Sequence, residues 1–262
     1  MGKPREDKKM NIIADLHTHT IASGHAYSTL MENINFAKVK GLQVLGASDH
    51  APALDDAPKE TYFLNLRVVG KDRDTLKVLH GAELNILNEY GEVDLSDKTL
   101  SRLDYTVASL HYPVFPKNRR FLCTDAAIAA MGNPFITILG HPDDDLFPLD
   151  YEALTLAAKY YHVALEVNNS SLCPGSFRAG AADNYRRMLR LARKHGVPVI
   201  VSSDSHICDN IGNFSRALAL LNELRFPEEL VANSSLKRLA EFWERRKSIA
   251  ISESKNHLLF AV

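Results

Sequence analysis

Cysteine is scarce in this chain: Cys123, Cys173 and Cys208 are the three in 262 residues, and no Cys-x-x-Cys pair occurs. An odd, scattered set excludes a disulfide framework and a thiolate zinc site, and it fits a reducing, cytoplasmic setting. No apolar run approaches the ~18 residues of a membrane span. Charge of one sign is missing too, since 31 Lys and Arg face 32 Asp and Glu for a net charge of -1. Without a basic excess there is no strong signal for nucleic acid. Residues 1–10 are polar and Lys-rich, with no apolar core of a signal peptide and no myristoylation pattern, and are expected to be a flexible extension. Repeats, low-complexity tracts and linkers are also lacking.

What is present is a chain with 45% hydrophobic residues, enough for one large core. Seven short runs rich in branched residues read as strands: 11–16, 43–47, 76–82, 105–108, 135–139, 162–167 and 197–201. Helical patterns lie between most of them, over 30–40 behind a Thr29-x-x-Glu32 capping box, then 125–131, 151–160 and 183–195. Alternating strand and helix implies a parallel sheet, and seven units at this length favour a single-domain α/β barrel over an open sheet. Residues 85–94 suggest a small hairpin on the third unit. Ser234 or Ser235 is expected to cap a last helix to about Arg246, packed by Trp243. The expected domain spans 11–246, with 247–262 as a tail.

Histidine is placed with order. Of 11 histidines, His17, His19, His25, His50, His111, His141 and His206 follow the strand-like runs, most beside an acid, as in Asp15-Leu16-His17-Thr18-His19, Ser48-Asp49-His50 and Asp204-Ser205-His206. A single His-x-His is more often packed or solvated than metal-bound, but repetition at the ends of strands that share one mouth points to a polynuclear metal site. In extended chain, residues two apart face the same side, so His17 and His19 can reach one ion, and Asp204 and His206 likewise. His25 fits either a ligand or a loop histidine. Glu83 ends the third run, and its two oxygens suit it to bridge two cations. Asp15 and Asp49 read as acceptors for the far ring N–H of a ligating histidine. His80, His162, His195 and His257 carry no chemistry, with His195 before Gly196 at a helix C-terminus. Cys208 reads as a small apolar side chain.

In order, Asp-Leu-His-Thr-His, Ser-Asp-His, Gly-Ala-Glu-Leu-Asn, Leu-His-Tyr-Pro, Gly-His-Pro and Ser-Asp-Ser-His resemble the PHP (polymerase and histidinol phosphatase) family from about Asn11 to about Arg246. His25-Ala26-Tyr27-Ser28-Thr29-Leu30, Asp56-Ala57-Pro58 and Asn168-Asn169-Ser170-Ser171 are similar to its YcdX-like branch of small stand-alone phosphatases or hydrolases. The resemblance implies a distorted (β/α)7 barrel, like a TIM barrel, with its metal site at the C-terminal strand ends. It also implies three divalent ions per chain, zinc first, with manganese or iron as alternatives. One would be held by His17, His19, Glu83 and Asp204; a second by Glu83, His111 and His141; a third by His25, His50 and His206. Asp143-Asp144-Asp145 and Leu172-Cys173-Pro174-Gly175-Ser176 depart from the branch and lie on expected substrate loops.

The expected function is a metal-dependent phosphoesterase, a phosphatase acting on a small phosphorylated metabolite. Its nucleophile would be a hydroxide between two ions, with the third ion neutralising charge on the phosphoryl group. His17, His19, Glu83 and Asp204 form the expected catalytic set, and the leaving-group acid is a metal-bound water, Asp204 or an imidazole. Arg178, Asn168, Asn169, Ser170 and Tyr27 are candidates for holding substrate, and free phosphate or sulfate is expected to bind at the metals. Two alternatives use the same residues: a nuclease or nucleotide phosphohydrolase, and a non-enzymatic zinc-binding or regulatory protein.

Overall fold

The computed structural model describes residues 10–259, so most of the expected N-terminal extension lies outside the described residues, as do residues 260–262. Its strands are β1 (Ala14–Asp15), β2 (Val44–Ala47), β3 (Asp72–Arg73), β4 (Leu76–His80), β5 (Glu83–Asn85), β6 (Val107–Ser109), β7 (Ile138–Leu139), β8 (Ala164–Asn168) and β9 (Val199–Ser202). They form two sheets, β1-β2-β4-β3 and β5-β6-β7-β8-β9, parallel throughout except for β3. Two isolated parallel bridges join the sheets, Thr18 to Ser205 beyond β1 and β9, and His50 to Glu83 beyond β2. Pairing therefore runs round the seven expected units and returns to β1, a distorted barrel rather than one unbroken sheet.

The expected third strand is the point of distortion. It divides at Gly81-Ala82 into β4, which pairs with β2, and β5, which pairs with β6. Tyr105 explains why. Its side chain is buried against the two strands and donates its hydroxyl to Leu16 O at 2.9 Å. A Cβ at Gly46 would lie 2.0 Å from the Tyr105 hydroxyl oxygen, and one at Gly81 2.4 Å from its ring. Only glycine lets the backbone come this close. The β3–β4 hairpin is an antiparallel addition that the apolar pattern did not announce, while the hairpin expected at 85–94 is present as an Ile86–Val93 bridge.

Helices α1 (Leu30–Val39), α2 (Glu60–Asn65), α3 (Asp97–Leu100), α4 (Arg120–Gly132), α5 (Tyr151–Tyr161), α6 (Ala181–His195), α7 (Ser215–Glu223) and α8 (Leu236–Leu259) complete the described chain. The capping box forms as expected, Thr29 Oγ1 accepting from Glu32 N while Glu32 accepts from Thr29 N. Such a cap stabilises a helix start by about 1 kcal/mol. Asp150 does the same for α5 by accepting from Glu152 N and Ala153 N. The α8 helix starts after Ser235, whose Oγ accepts from Arg238 N, and it continues past the expected end at Arg246. Arg246 is buried and donates to Ile136 O and Asn133 O, which fastens α8 to the turn between α4 and β7.

Strand residues alternate between two apolar clusters. Leu45, Ala108, Leu139, Leu165, Val199 and Val201 pack outward with the helices, whereas Val44, Val107, Ile138, Ala164 and Ile200 meet inside, where α8 adds Leu239 and Phe242. Trp243 packs against this inner cluster, as expected. Further along the same inward faces the residue type changes from apolar to polar: Ala164, Glu166, Asn168 on β8, and Ile200, Ser202, Asp204 along and beyond β9. The period of two thus closes one end of the barrel with hydrocarbon and lines the other with polar side chains. Among the described residues no helix is long and apolar enough to cross a membrane.

Candidate metal centre

Glu83 is fully buried at the start of β5 and lies at the centre of the histidines. Its Oε2 is 3.2 Å from His17 Nε2, 3.5 Å from His19 Nε2 and 2.8 Å from His50 Nδ1. Its Oε1 is 2.9 Å from His141 Nε2 and 3.2 Å from His111 Nε2. Asp204 Oδ1 lies 3.2 Å from His19 Nε2, 3.6 Å from His17 Nε2 and 3.6 Å from His206 Nδ1. His25 joins at the edge, its ring 4.9 Å from that of His50 and 5.0 Å from that of His206. All nine expected ligands are therefore gathered, although His50, whose ring lies 4.9 Å from that of His25 and 6.0 Å from that of His206, also touches Glu83 through its Nδ1.

A test of fit for cations comes from atoms that the protein leaves unpartnered. His17 Nε2, His19 Nε2, His50 Nδ1 and Glu83 Oε2 are buried with no aligned hydrogen bond. An orphaned buried polar atom costs about 1–3 kcal/mol, and here four converge. His19, His50 and His206, then His17, His19 and Glu83, then His50, Glu83 and His111 each place three donor atoms within 4.8 Å of one another. Imidazole and carboxylate without thiolate suit zinc, manganese or iron. The residues fit the group.

Ring orientation is set from behind. His17 Nδ1 donates to Glu166 Oε1 at 2.6 Å, His111 Nδ1 to Asn85 Oδ1 at 2.7 Å, and His19 Nδ1 contacts Ser23 Oγ at 3.2 Å. Each of these tautomers turns an Nε2 lone pair towards the centre. Glu166 is the member that sequence reasoning missed. It is fully buried in β8, also accepts from His141 N at 2.5 Å, and receives the Ser202 hydroxyl. Its signal was an acid inside the apolar run Val163 to Val167, where an ionised group survives only with partners.

Asp15 and Asp49 do not take the roles expected of them, since among the described residues neither is hydrogen-bonded to a ring. Asp15 accepts from Ser203 N and Gly212 N, backbone donors beyond β9 that need a partner. Asp49 accepts from Thr20 N, Ser23 Oγ and Tyr62 Oη, and reaches His19 only through Ser23. Burial raises the Asp15 carboxyl to about 6 despite these hydrogen bonds.

Electrostatics follow from the crowding. Burial alone would raise Glu83 and Asp204, but His17, His111 and His50 around the first, and His17 and Arg178 beside the second, outweigh it and hold both carboxyls low. Burial depresses His19, and neighbouring His50 and His206 depress it further. His17 is the reverse case: burial works against its charged form, yet Glu166, Glu83 and Asp204 lift it above the ordinary imidazole range. Two of the candidate ligands also hold positive φ, His141 at 24° and Asp204 at 52°, a backbone conformation uncommon for non-glycine residues.

A cavity of about 510 Å³ opens over this cluster, with His50, His111, His141 and Asp204 in its floor. Of the five substrate candidates, Ser170 and Arg178 line it. The Arg178 Nη1 group reaches Asp204 Oδ2 at 3.0 Å and Ser171 Oγ at 3.1 Å. Asn168 is buried behind Asp204 and donates to its Oδ2. Asn169 turns away to cap α7, accepting from Arg216 N and Ala217 N. Tyr27 is 79% exposed and is not part of the lining.

A parallel barrel with a carboxylate bridged by histidines at its C-terminal mouth defines a class of metallohydrolase. The chain belongs to the PHP family: the PHP domain model matches residues 15–172, and the PHP-associated model matches 183–227. A protein named "Probable phosphatase" from Caldanaerobacter subterraneus subsp. tengcongensis is 40% identical over 243 residues, 92% of this chain and 95% of that one. Another of that name from Clostridium novyi is 38% identical over 89% of this chain and 95% of its own length. Among solved structures, histidinol phosphate phosphatase from Lactococcus lactis, complexed with zinc, L-histidinol and phosphate, superposes with a TM-score of 0.55. At 15% identity, covering 82% of this chain and 94% of that one, the likeness is one of fold. Within the family the chain is a metal-dependent enzyme of the phosphatase class.

Proposed function

We propose that the protein hydrolyses a small phosphorylated metabolite at a centre of three divalent ions, zinc first, with manganese or iron as alternatives. His17, His19, Glu83 and Asp204 would hold one ion, Glu83, His111 and His141 a second, and His25, His50 and His206 a third. The observation that carries this reading is Glu83, whose two oxygens face histidines on both sides while four buried donor atoms lack partners. Bound cations would supply Lewis acidity, lower the pKa of water and offset phosphate charge.

The chain's own residues do the rest. Glu166, Asn85 and Ser23 fix which ring nitrogen of His17, His111 and His19 carries the proton. Asn168 and Arg178 hold Asp204 from its Oδ2 side, leaving Oδ1 towards His17 and His19. Arg178 has further N–H donors for the oxygens of a phosphoryl group in the cavity. Ser170 adds a hydroxyl at the wall. Inorganic phosphate or sulfate is the simplest ligand of this arrangement. Three free cysteines support a reducing, cytoplasmic location as part of the same proposal.

The test is turnover of simple phosphomonoesters by freshly purified protein. Hydrolysis that stops on chelation, returns with added metal and is abolished in Asp204→Asn is expected. Turnover that survives exhaustive chelation contradicts the reading.

A further inference from the structure

The hairpin at 85–94 supplies no candidate ligand beyond its first strand and does not line the cavity. Its last residue shows what it is for. Ile86 pairs with Val93, Gly91 turns the chain at φ 74°, and Asp94 returns beside Asn85. Asp94 Oδ1 accepts from Asn85 N at 2.9 Å, and Oδ2 accepts from Asn85 Nδ2 at 2.6 Å and from Ala53 N at 2.8 Å. Ala53 follows His50 on the chain leaving β2, and Asn85 follows Glu83 in β5. Here the two sheets meet at the isolated His50 to Glu83 bridge, and the Asp94 carboxylate adds a rung beyond it.

We infer that Asp94 is a positioning residue: through the Asn85 amide it sets which nitrogen of His111 carries the proton, and so turns the Nε2 lone pair of that ring towards Glu83. The cause lies in the chain's own hydrogen bonds, and the consequence for cations rests on the metal-centre reading above. Asn85 is fully buried. One end of its amide meets Asp94 Oδ2 at 2.6 Å and Ala51 O at 3.1 Å, both acceptors, so that end is the NH2. The other end is therefore Oδ1, and His111 Nδ1, 2.7 Å away, carries the proton. A neutral imidazole holds one proton, which leaves Nε2 bare.

The near neighbours of Nε2 ask for the opposite. Glu83 Oε1, an acceptor, lies 3.2 Å from it, and the other tautomer would give that oxygen an N–H. Burial lowers His111 below the ordinary imidazole value and outweighs the pull of Glu83, so a second proton does not resolve the conflict. Left to Glu83, the ring would protonate Nε2 and close that nitrogen to a cation. Asp94 prevents this from outside the cavity. Asparagine at 94 must present an NH2 to one of the donors that the carboxylate now accepts. Turning the Asn85 amide over relieves that clash, puts Nδ2 against His111 Nδ1 and sends the ring proton to Nε2.

The experiment is proton–nitrogen correlation spectroscopy of the imidazoles in the full-length protein, as purified and after chelation, at about pH 8, where the ring is neutral. His111 is assigned by the loss of its signals in His111→Gln. In the wild type the proton is expected on Nδ1 in both states. In Asp94→Asn it is expected on Nε2 after chelation, with metal affinity lower by about 10–100-fold. Exchanging the pair, Asp94→Asn with Asn85→Asp, again gives His111 Nδ1 an acceptor and should return the proton to Nδ1. A hairpin with a merely structural role would lower the urea midpoint in Asp94→Asn and leave the proton on Nδ1. That result, or an Nε2 proton in the wild type, overturns the inference. Should the single variant not fold, the exchanged pair decides: a folded protein with the proton on Nδ1 supports the link, and failure to fold or an Nε2 proton overturns it. Should the protein bind no ion even on reconstitution, the metal reading fails, and the proton position in the chelated wild type and variant still decides the role of Asp94.

Discussion

The ring of His17, two residues beyond β1, donates its Nδ1–H to Glu166 Oε1 in the middle of β8 at 2.6 Å, so one buried bond ties two strands that β9 separates. The other Glu166 oxygen accepts from His141 N at 2.5 Å. Glutamine at 166 can accept only one of these and would turn an NH2 towards the other donor. Glu166→Gln is expected to weaken metal affinity by about 10–100-fold, the usual effect of losing an outer partner of a ligand. Chelator competition measures it, and unchanged affinity would show that Glu166 does not orient the centre.

Tyr105 packs where Gly46 and Gly81 allow the strands to approach it, and a Cβ at Gly81 would lie 2.4 Å from its ring. Gly81→Ala should destabilise the fold by about 1–3 kcal/mol through overpacking. Urea melts of Gly81→Ala, Tyr105→Ala and the double variant would show the losses to be less than additive. Additive losses would mean that the two positions do not meet.

His162 ends α5 in the left-handed conformation, φ 53°, with its ring 5.3 Å from that of Phe242. Burial, then the charges of Arg245 and Arg246, lower its pKa from 6.5 to about 4. The folded state therefore keeps the ring neutral while the unfolded chain takes up a proton between those values, and stability falls as pH drops from about 6.5 to about 4, then levels off. Asparagine also tolerates this backbone conformation. His162→Asn should flatten part of the dependence of the urea midpoint on pH in that window, and an unchanged slope would place the titration elsewhere.

Asn169 looked like a substrate residue in the sequence, yet its side-chain oxygen caps α7. Asn169→Ala should lose about 0.5–2 kcal/mol of stability. A cap acts on the urea midpoint and a substrate contact on KM, so a raised KM with no change in midpoint would restore the original reading.

Most of the candidate ligand set was legible because its members lie at or just beyond the ends of apolar runs. His111 and Asp204 follow β6 and β9, whereas Glu83 closes the expected third run but opens β5. The parts that escaped depend on chain far away. Glu166 is defined by His17 and Ser202, 149 and 36 residues distant, and nothing local distinguishes it from a misplaced acid. Asp15 and Asp49 stand next to ligating motifs, but adjacency did not decide their partners; backbone donors and Ser23 claimed their oxygens. The break at Gly81 escaped for the same reason, since the bulk of Tyr105 comes from the segment that leads into β6.

The central claim is that these residues assemble a trinuclear centre, and the direct measurement is elemental analysis of freshly purified protein, with His50→Ala alongside. About three divalent ions per chain, falling to about two in the variant, is the predicted result. One ion or none, even after reconstitution with zinc, manganese or iron, would contradict it.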